Sequence, residues 1–161
     1  MKNFLLQAFA LKNLHRAGWV RAGLEEPESV ADHSWGVALL AVCLCPPHLN
    51  REKLLAMALI HDLPEVKVGD ITPHDGITKQ QKHTMEENAA KDLFSPSLYA
   101  LWREAVEKKS PESKFLNQLD KLEMGLQAQI YKDKIDVHEF IQSAQKSLTE
   151  PGLIKLLLSE E

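Results

Sequence analysis

The sequence has little cysteine and no long apolar run. Cys43 and Cys45 are its only cysteines among 161 residues, and their spacing puts them on different faces of a helix, where they do not readily pair. This excludes a small disulfide-bonded scaffold and predicts reduced thiols in the protein core. No apolar stretch approaches the roughly 20 residues of a membrane-spanning helix, and the first residues do not resemble a signal peptide. We therefore expect a cytoplasmic protein that does not associate with membranes.

The sequence also lacks an excess of positive charge. It has 19 lysine and arginine residues against 23 aspartate and glutamate residues, a formal net charge of -4, and its basic residues are scattered along the chain. Proteins that bind polymeric nucleic acid usually carry a basic patch or stripe, so such a partner is not expected. A small anionic ligand needs only a local cluster of positive charge. The length suits one domain, and we predict a single domain over residues 1–161.

Strand patterns are nearly absent, whereas apolar residues recur at helical spacing through most of the chain. The pattern predicts helices that contain residues 4–11, 30–44, 54–58, 98–105, 116–126, 140–148 and 154–158. Ser29 and Thr78 begin capping boxes, and Ser110 precedes a proline at a first-turn position. Two segments without this period, 15–28 and 63–77, are predicted to be loops that carry function. We predict an all-α fold, a compact single-domain helical bundle.

Two histidines lie in phase with the apolar residues of two different predicted helices. His33 follows Val30 by three residues, and His61 follows Met57 by four, so both side chains are expected to point towards the core. A lone inward histidine is more often a hydrogen-bonded core residue than a ligand. However, Asp62 follows His61 at a helix end, where a carboxylate is disfavoured unless a cation lies close. The pair therefore favours a bound cation.

Asp120 completes a candidate ligand set. It lies at the margin of the apolar stripe of the predicted helix 116–126, where it could equally be a solvated carboxylate paired with a lysine. Two imidazole nitrogens and two carboxylate oxygens suit a divalent transition metal better than calcium or a thiolate-bound zinc. The set of His33, His61, Asp62 and Asp120 thus predicts one divalent metal cation, with Mn, Co, Zn, Fe, Ni and Mg all open.

A second His-Asp dipeptide, His74-Asp75, lacks a periodic helix before it. It lies between Pro73 and Gly76, so we interpret it as part of a turn in which Asp75 accepts hydrogen bonds from nearby backbone amides. The dipeptide alone is a weak signal, because this chain contains two of them. We do not assign His74-Asp75 to the metal.

Four segments carry the motifs in order: residues 28–34 (ESVADHS), 58–65 (ALIHDLPE), 68–71 (VGDI) and 118–124 (QLDKLEM). In order and spacing they resemble the HD-domain superfamily and, within it, the YfbR-like 5′-deoxynucleotidases, from about residue 15 to about residue 158. The resemblance implies a fold of the HD-domain type and a homodimer. It implies that the metal ligands are His33, His61, Asp62 and Asp120, and that Glu65 and Asp70 are active-site carboxylates.

The resemblance further implies a metal-dependent phosphohydrolase, most simply a 5′-nucleotidase that converts (deoxy)nucleoside 5′-monophosphates to nucleoside and phosphate. Glu65 is expected to transfer protons and Asp70 to hold the reacting geometry. By itself Glu65 could be an exposed loop carboxylate, and Asp70 a simple turn former. Hydrolysis of another phosphoester, such as a cyclic nucleotide or a guanosine alarmone, is the first alternative. A non-catalytic nucleotide-sensing module stabilised by its metal is the second.

Substrate binding is expected from the earlier loop. Arg16 offers a planar, permanently charged fork that matches phosphate oxygens, although it could be a surface arginine. By resemblance, Trp19 excludes the 2′-hydroxyl of ribonucleotides, although it could be a core tryptophan. Ala17 and Gly18 separate the two residues, a spacing that resembles the eukaryotic-like branch of the family. A second metal bound through His74 or His83 is less expected, since neither lies on an inward apolar stripe.

Overall fold

The fold is built of helices in residues 1–159, the part of the chain that this computed structural model describes. The helices are α1 (Lys2–Ala10), a 3-10 turn (Leu11–Asn13), α2 (Ala17–Arg21), α3 (Val30–Leu44), α4 (Arg51–Ile60), α5 (Glu65–Val68), α6 (Lys79–Leu93), α7 (Pro96–Glu107), α8 (Pro111–Tyr131), α9 (His138–Ser147) and α10 (Pro151–Leu158). This confirms the predicted all-α class. The predicted domain end at residue 161 lies outside the described residues. Over residues 1–159, no helix combines the length and apolar character needed to cross a membrane.

The helix starts follow the predicted capping signals. Ser29 accepts a hydrogen bond from the amide of Asp32 and forms a capping box with it at the start of α3. Thr78 and Gln81 do the same for α6, and the hydroxyl of Ser110 accepts from the third residue of α8. Each cap satisfies amides that would otherwise lack partners, which is worth about 1 kcal/mol. These predictions are confirmed.

Helix α8 is the centre of the fold. It packs against α3, α4, α7, α9 and α10, and it contributes Leu119 and Leu122, both without exposed surface, to the main hydrophobic core. Burying a leucine completely contributes about 1.5–3 kcal/mol. Because α3 and α4 also pack against each other, three helices that carry predicted site residues meet at one place in the core.

Both predicted loops contain short helices. Helix α2 lies within 15–28, and α5 lies within 63–77. Elements of five and four residues are too short to show a helical period and depend on tertiary contacts for stability, so the pattern missed them. An isolated β-bridge between His15 and Ser29 joins the first of these segments to the start of α3.

The core prediction is wrong for one cysteine. Cys43 is exposed and Cys45 is half-buried, because Cys43 lies away from the buried face of α3 that includes Val37 and Ala41. On the same helix, Trp35 is 66% exposed. The described part of the chain therefore leaves an apolar surface on α3.

Candidate active site

The four predicted metal ligands lie together. His33 is on α3, Asp120 is on α8, and His61 and Asp62 directly follow α4. The Nε2 atom of His33 lies 3.3 Å from Oδ1 of Asp120 and 3.6 Å from Oδ2 of Asp62. The Nε2 atom of His61 lies 3.3 Å from the same Asp62 oxygen. The ligand atoms of His33, His61 and Asp62 lie close enough to share one metal ion, and Asp120 adjoins this group through His33.

The outer nitrogens of both histidines are engaged. Nδ1 of His61 lies 2.8 Å from the carbonyl oxygen of Ala58, and Nδ1 of His33 lies 2.5 Å from Oε2 of Glu123. Because a carbonyl only accepts, His61 donates from Nδ1 and keeps the lone pair on Nε2. Both Nε2 atoms are buried and have no hydrogen-bond partner among the described residues. A divalent cation among these four side chains would satisfy both nitrogens, so the donor set fits a metal.

Glu123 is a functional candidate that the sequence analysis did not single out. It lies three residues after Asp120 on α8, so it faces the same side of the helix, and it is 7% exposed. Gly36 on α3 makes room for it, since a Cβ at Gly36 would lie 2.6 Å from Oε1 of Glu123. A carboxylate on the outer nitrogen of a ligand histidine orients the ring and makes it a stronger ligand. Its three-residue spacing from Asp120 is the sequence feature that could have identified Glu123.

The end of α4 fixes the His61-Asp62 pair. The helix stops at Ile60, and Pro64 follows within one turn. The indole nitrogen of Trp102 donates to the carbonyl of His61 at 3.0 Å, and Trp102 has no exposed surface. This buried contact from α7 holds the backbone of the pair in place.

Three acidic side chains at the site have opposite tendencies to ionise. Burial alone raises the pKa of Asp120, but Lys121 and His33 lower it more and hold it well below its usual range. The same balance, with His61 and His33 as the opposing groups, lowers the pKa of Asp62. Burial, with Asp62 adding to it, raises the pKa of Glu65 well above its usual range. Carboxyl groups separated in this way can serve as ionised ligands and as a proton donor, respectively.

Glu65 begins α5 and is 3% exposed, so it is not the exposed loop carboxylate that its sequence position also allowed. Its Oε1 atom lies 3.4 Å from the ammonium of Lys82. Its Oε2 atom is buried and has no partner among the described residues. One oxygen of this carboxyl group is therefore available for a proton-transfer role.

Arg16 and Asp70 are brought together from the two predicted loops. A guanidinium nitrogen of Arg16 lies 3.5 Å from Oδ1 of Asp70 and 3.9 Å from Oδ2 of Asp62. The other Asp70 oxygen accepts a 2.8 Å hydrogen bond from the amide of Ala17. Asp70 is thus more than a local turn former, because it connects the second segment to the start of α2. Arg16 is held beside the candidate metal centre and is not a surface arginine.

Trp19 lies in the wall of the site but is 2% exposed. Its ring packs against Phe140 with centroids 4.0 Å apart and against Tyr131 at 5.2 Å. Its indole nitrogen donates to Oε1 of Glu28 at 2.8 Å. These contacts fit the alternative of a core tryptophan, and they also make this part of the wall rigid.

A cavity of about 660 Å³ joins these residues, a size typical of small-molecule sites. It is lined at one end by Arg16, Asp62, Glu65, Asp70 and Asp120. Basic residues complete the wall: Arg21, Lys79, Lys82, Lys108 and Lys121. The local positive charge that a small anionic ligand needs is therefore present, although the chain as a whole is acidic.

The second His-Asp dipeptide lies in an exposed turn, as predicted. Oδ2 of Asp75 accepts from the amide of Thr72 at 2.6 Å and from its hydroxyl at 2.8 Å. His74 lies 2.8 Å from Oε1 of Glu139 at the edge of the cavity. Among the described residues, neither His74 nor His83 belongs to a group of three or more ligand side chains close enough to share a metal.

The comparisons with known proteins agree with this site. The HD domain family model matches residues 8–152. The chain is 36% identical to human 5′-deoxynucleotidase HDDC2 over 165 aligned positions, covering 96% of this chain and 81% of the human protein. It is 36% identical to 5′-deoxynucleotidase HDDC2 of Dictyostelium discoideum, covering 94% and 91%. The crystal structure of PH0347 from Pyrococcus horikoshii OT3 superposes with a TM-score of 0.83 at 34% identity, covering 98% and 94%.

These matches define the class of the protein. It is an HD-domain protein. Within that class the chain belongs to the family of its 5′-deoxynucleotidase relatives, as the sequence motifs predicted.

Proposed function

We propose that the protein is a divalent-metal-dependent 5′-deoxynucleotidase that hydrolyses deoxynucleoside 5′-monophosphates to nucleoside and phosphate. One observation carries the proposal: two unpartnered histidine nitrogens lie against two aspartates, and those aspartates line the same cavity as a buried glutamate and an arginine. A metal-ligand set, a proton donor and a phosphate-binding cation are the parts that phosphomonoester hydrolysis needs. The names of the relatives support the substrate class.

The metal would be held by His33, His61, Asp62 and Asp120. When bound, it supplies Lewis acidity for the phosphoryl group and for the attacking water. The protein's own contribution is to keep the two aspartates ionised, in line with their lowered pKa values. Glu123 and the carbonyl of Ala58 hold the imidazole rings in the orientation that leaves both Nε2 atoms free.

Arg16 binds the phosphate of the substrate. Arg16 carries a positive charge. Burial alone lowers its pKa, but the nearby carboxylates of Asp70 and Asp62 raise it more, so the pKa lies above its usual value. The planar guanidinium donates two parallel hydrogen bonds to phosphate oxygens. Asp70 accepts from Ala17 and lies beside the guanidinium, so it positions Arg16 for this contact.

Glu65 supplies the proton for the leaving group. Its raised pKa favours the protonated form, and its unpartnered Oε2 atom can donate to the 5′-oxygen as the bond to phosphorus breaks. General acid catalysis of this kind typically contributes about 10²- to 10⁴-fold.

Trp19 limits the space at the sugar. Because Phe140, Tyr131 and Glu28 hold the indole in place, this wall does not adapt to an added 2′-hydroxyl. Burying a hydroxyl there without a partner costs about 1–3 kcal/mol, roughly tenfold to hundredfold in selectivity.

Phosphate release from a panel of deoxy and ribo monophosphates, with Mn²⁺, Co²⁺, Mg²⁺ and Zn²⁺ supplied separately, tests the proposal. We expect turnover of the deoxy monophosphates and a weaker signal from the ribo forms. Protein with confirmed bound metal that releases no phosphate from any monophosphate would contradict it. The same panel extended to cyclic nucleotides and guanosine alarmones tests the first alternative.

We also propose that residues 1–161 form one domain that works in the cytoplasm as a homodimer. Trp35, Leu39 and Val42 are exposed at helical spacing on α3, and such an apolar stripe suits a two-fold contact. Leu153 and Leu157 of α10 are buried in the core of this chain, so these two residues are not available for the dimer contact. Light scattering of wild type and Trp35→Lys tests the dimer, and cell fractionation tests the location.

A further inference from the structure

Lys82 has contacts that its sequence context does not suggest. It lies in the first turn of α6, a strongly charged helix whose lysines would be expected to be solvated. Instead, its ammonium donates to the carbonyl of Ile71 at 2.9 Å and lies 3.4 Å from Oε1 of Glu65 and 3.4 Å from Oε1 of Glu86. The side chain also lines the active-site cavity. Lys82 therefore connects α6 to Glu65, at the start of α5, and to Ile71, the residue after Asp70.

Neighbouring carboxyl groups stabilise the positive charge of Lys82. Burial alone lowers its pKa, but Glu65 and Glu86 raise it, and the net pKa lies above the usual value. An ammonium group has three hydrogens to donate and no lone pair. Ile71 and Glu65 each accept a hydrogen bond from it, and Glu86 adds an ion pair at 3.4 Å. The ammonium is thus held mainly by protein groups.

We propose that Lys82 is a positioning residue for the hydrolysis, which binds Oε1 of Glu65 and leaves Oε2 as the atom that transfers the proton. This inference rests on the proposed function. The anchor of Lys82 is the carbonyl of Ile71, the residue after Asp70, so the same contact holds the turn that orients Arg16. A single lysine on α6 thus fixes the two active-site acids relative to each other.

The role predicts which kinetic constant changes. Because the ammonium donates to Glu65 and to the carbonyl of Ile71, we expect its loss to disturb proton transfer and to leave substrate binding nearly unchanged. Hydrogen-bond partners that orient metal ligands typically contribute about 10- to 100-fold, and we expect an effect of the same order for the partner of Glu65. A lysine that bound phosphate would instead change KM.

The experiment compares Lys82→Met, Lys82→Arg and the matched control Lys91→Met in the metal-loaded protein. Lys91 lies on the same helix and pairs with Glu87 outside the cavity. We expect kcat to fall about 10- to 100-fold in Lys82→Met, with KM within about twofold, bound metal unchanged, and partial recovery in Lys82→Arg. Lys91→Met is expected to match wild type. If Lys82→Met does not fold, Lys82→Gln takes its place.

Wild-type kcat in the folded Lys82 variant, or a raised KM at unchanged kcat, would overturn the inference. Failure of the proposed function has a different signature, since wild type itself would then release no phosphate. Crystal structures of wild type and Lys82→Met give a readout that does not depend on activity. We expect the Glu65 carboxylate to turn away from its position in wild type, and an unmoved Glu65 would also overturn the inference.

Discussion

The chain contains the dipeptide His-Asp twice, in two different environments. His61-Asp62 directly follows α4, with the Asp62 side chain 20% exposed and the His61 side chain 10% exposed, next to His33 and Asp120. His74-Asp75 lies in an exposed turn, where Asp75 accepts from Thr72 and His74 pairs with Glu139. The residue types are identical, but only the first pair keeps a buried imidazole nitrogen without a partner.

The difference shows what makes a metal site out of common residues. In the exposed turn, Oδ2 of Asp75 and Nε2 of His74 each contact a protein neighbour, and both residues are open to solvent, so neither side chain has a buried polar atom that needs a cation. After α4, the outer nitrogen of His61 donates to a backbone carbonyl, and the inner nitrogen, which is itself buried, faces the carboxylate of Asp62. Burial without a partner, more than the dipeptide itself, distinguishes the candidate ligand.

Replacing the aspartate of each pair with asparagine is expected to give the largest difference in activity between the two pairs. We expect Asp62→Asn to reduce phosphate release by more than about 100-fold, beyond the effect of losing an outer partner, because the metal loses an anionic ligand. Asp75→Asn is expected to match wild type, since Asp75 does not line the cavity. Steady-state phosphate release measures both, and equal activities would contradict the assignment.

Glu65, three residues after Asp62, is expected to give the next largest effect. Glu65→Gln removes the proton that Oε2 would donate, so kcat falls about 10²- to 10⁴-fold while the metal stays bound. Glu52→Gln, an exposed change at the start of α4, serves as the control. Unchanged turnover in Glu65→Gln would contradict the role of Glu65 as the proton donor.

One histidine at the site and one in the exposed turn each contact a glutamate, which allows a third comparison. Glu123 contacts His33 inside the site, whereas Glu139 contacts His74 in the exposed turn. We expect Glu123→Gln to weaken metal affinity about 10- to 100-fold, because the His33 ring loses its charged partner. Glu139→Gln is expected to leave metal affinity unchanged. Isothermal titration with the metal measures both, and similar affinities would remove Glu123 from the account.

The smallest expected difference concerns the side chains that support the two pairs, Trp102 for His61-Asp62 and Thr72 for His74-Asp75. Trp102→Phe removes the donor to the carbonyl of His61 and is expected to lower the free energy of unfolding by about 1–3 kcal/mol. Thr72→Val removes an exposed hydroxyl contact to Asp75, and we expect a change below about 0.5 kcal/mol. Urea denaturation compares them. Equal losses would mean that the end of α4 is no more constrained than the turn.

Much of this architecture could be predicted from local sequence, because capping boxes and apolar periodicity act within a few residues. His33 and His61 were found by helical phase, and Asp62 by its position at a helix end. Glu123 and Lys82 were not, since their partners lie 90 and 17 residues away and their own helices also suit solvated charges. Helices α2 and α5 are too short to carry a period, so their formation depends on the packed protein.

Metal content tests the central claim most directly. Wild type, Asp62→Asn and Asp75→Asn are each loaded with a divalent metal, freed of unbound ions and measured by elemental mass spectrometry. The account predicts one tightly bound ion per chain in wild type and in Asp75→Asn, and loss of that ion in Asp62→Asn. Wild-type metal content in Asp62→Asn, or loss of metal in Asp75→Asn, would contradict it.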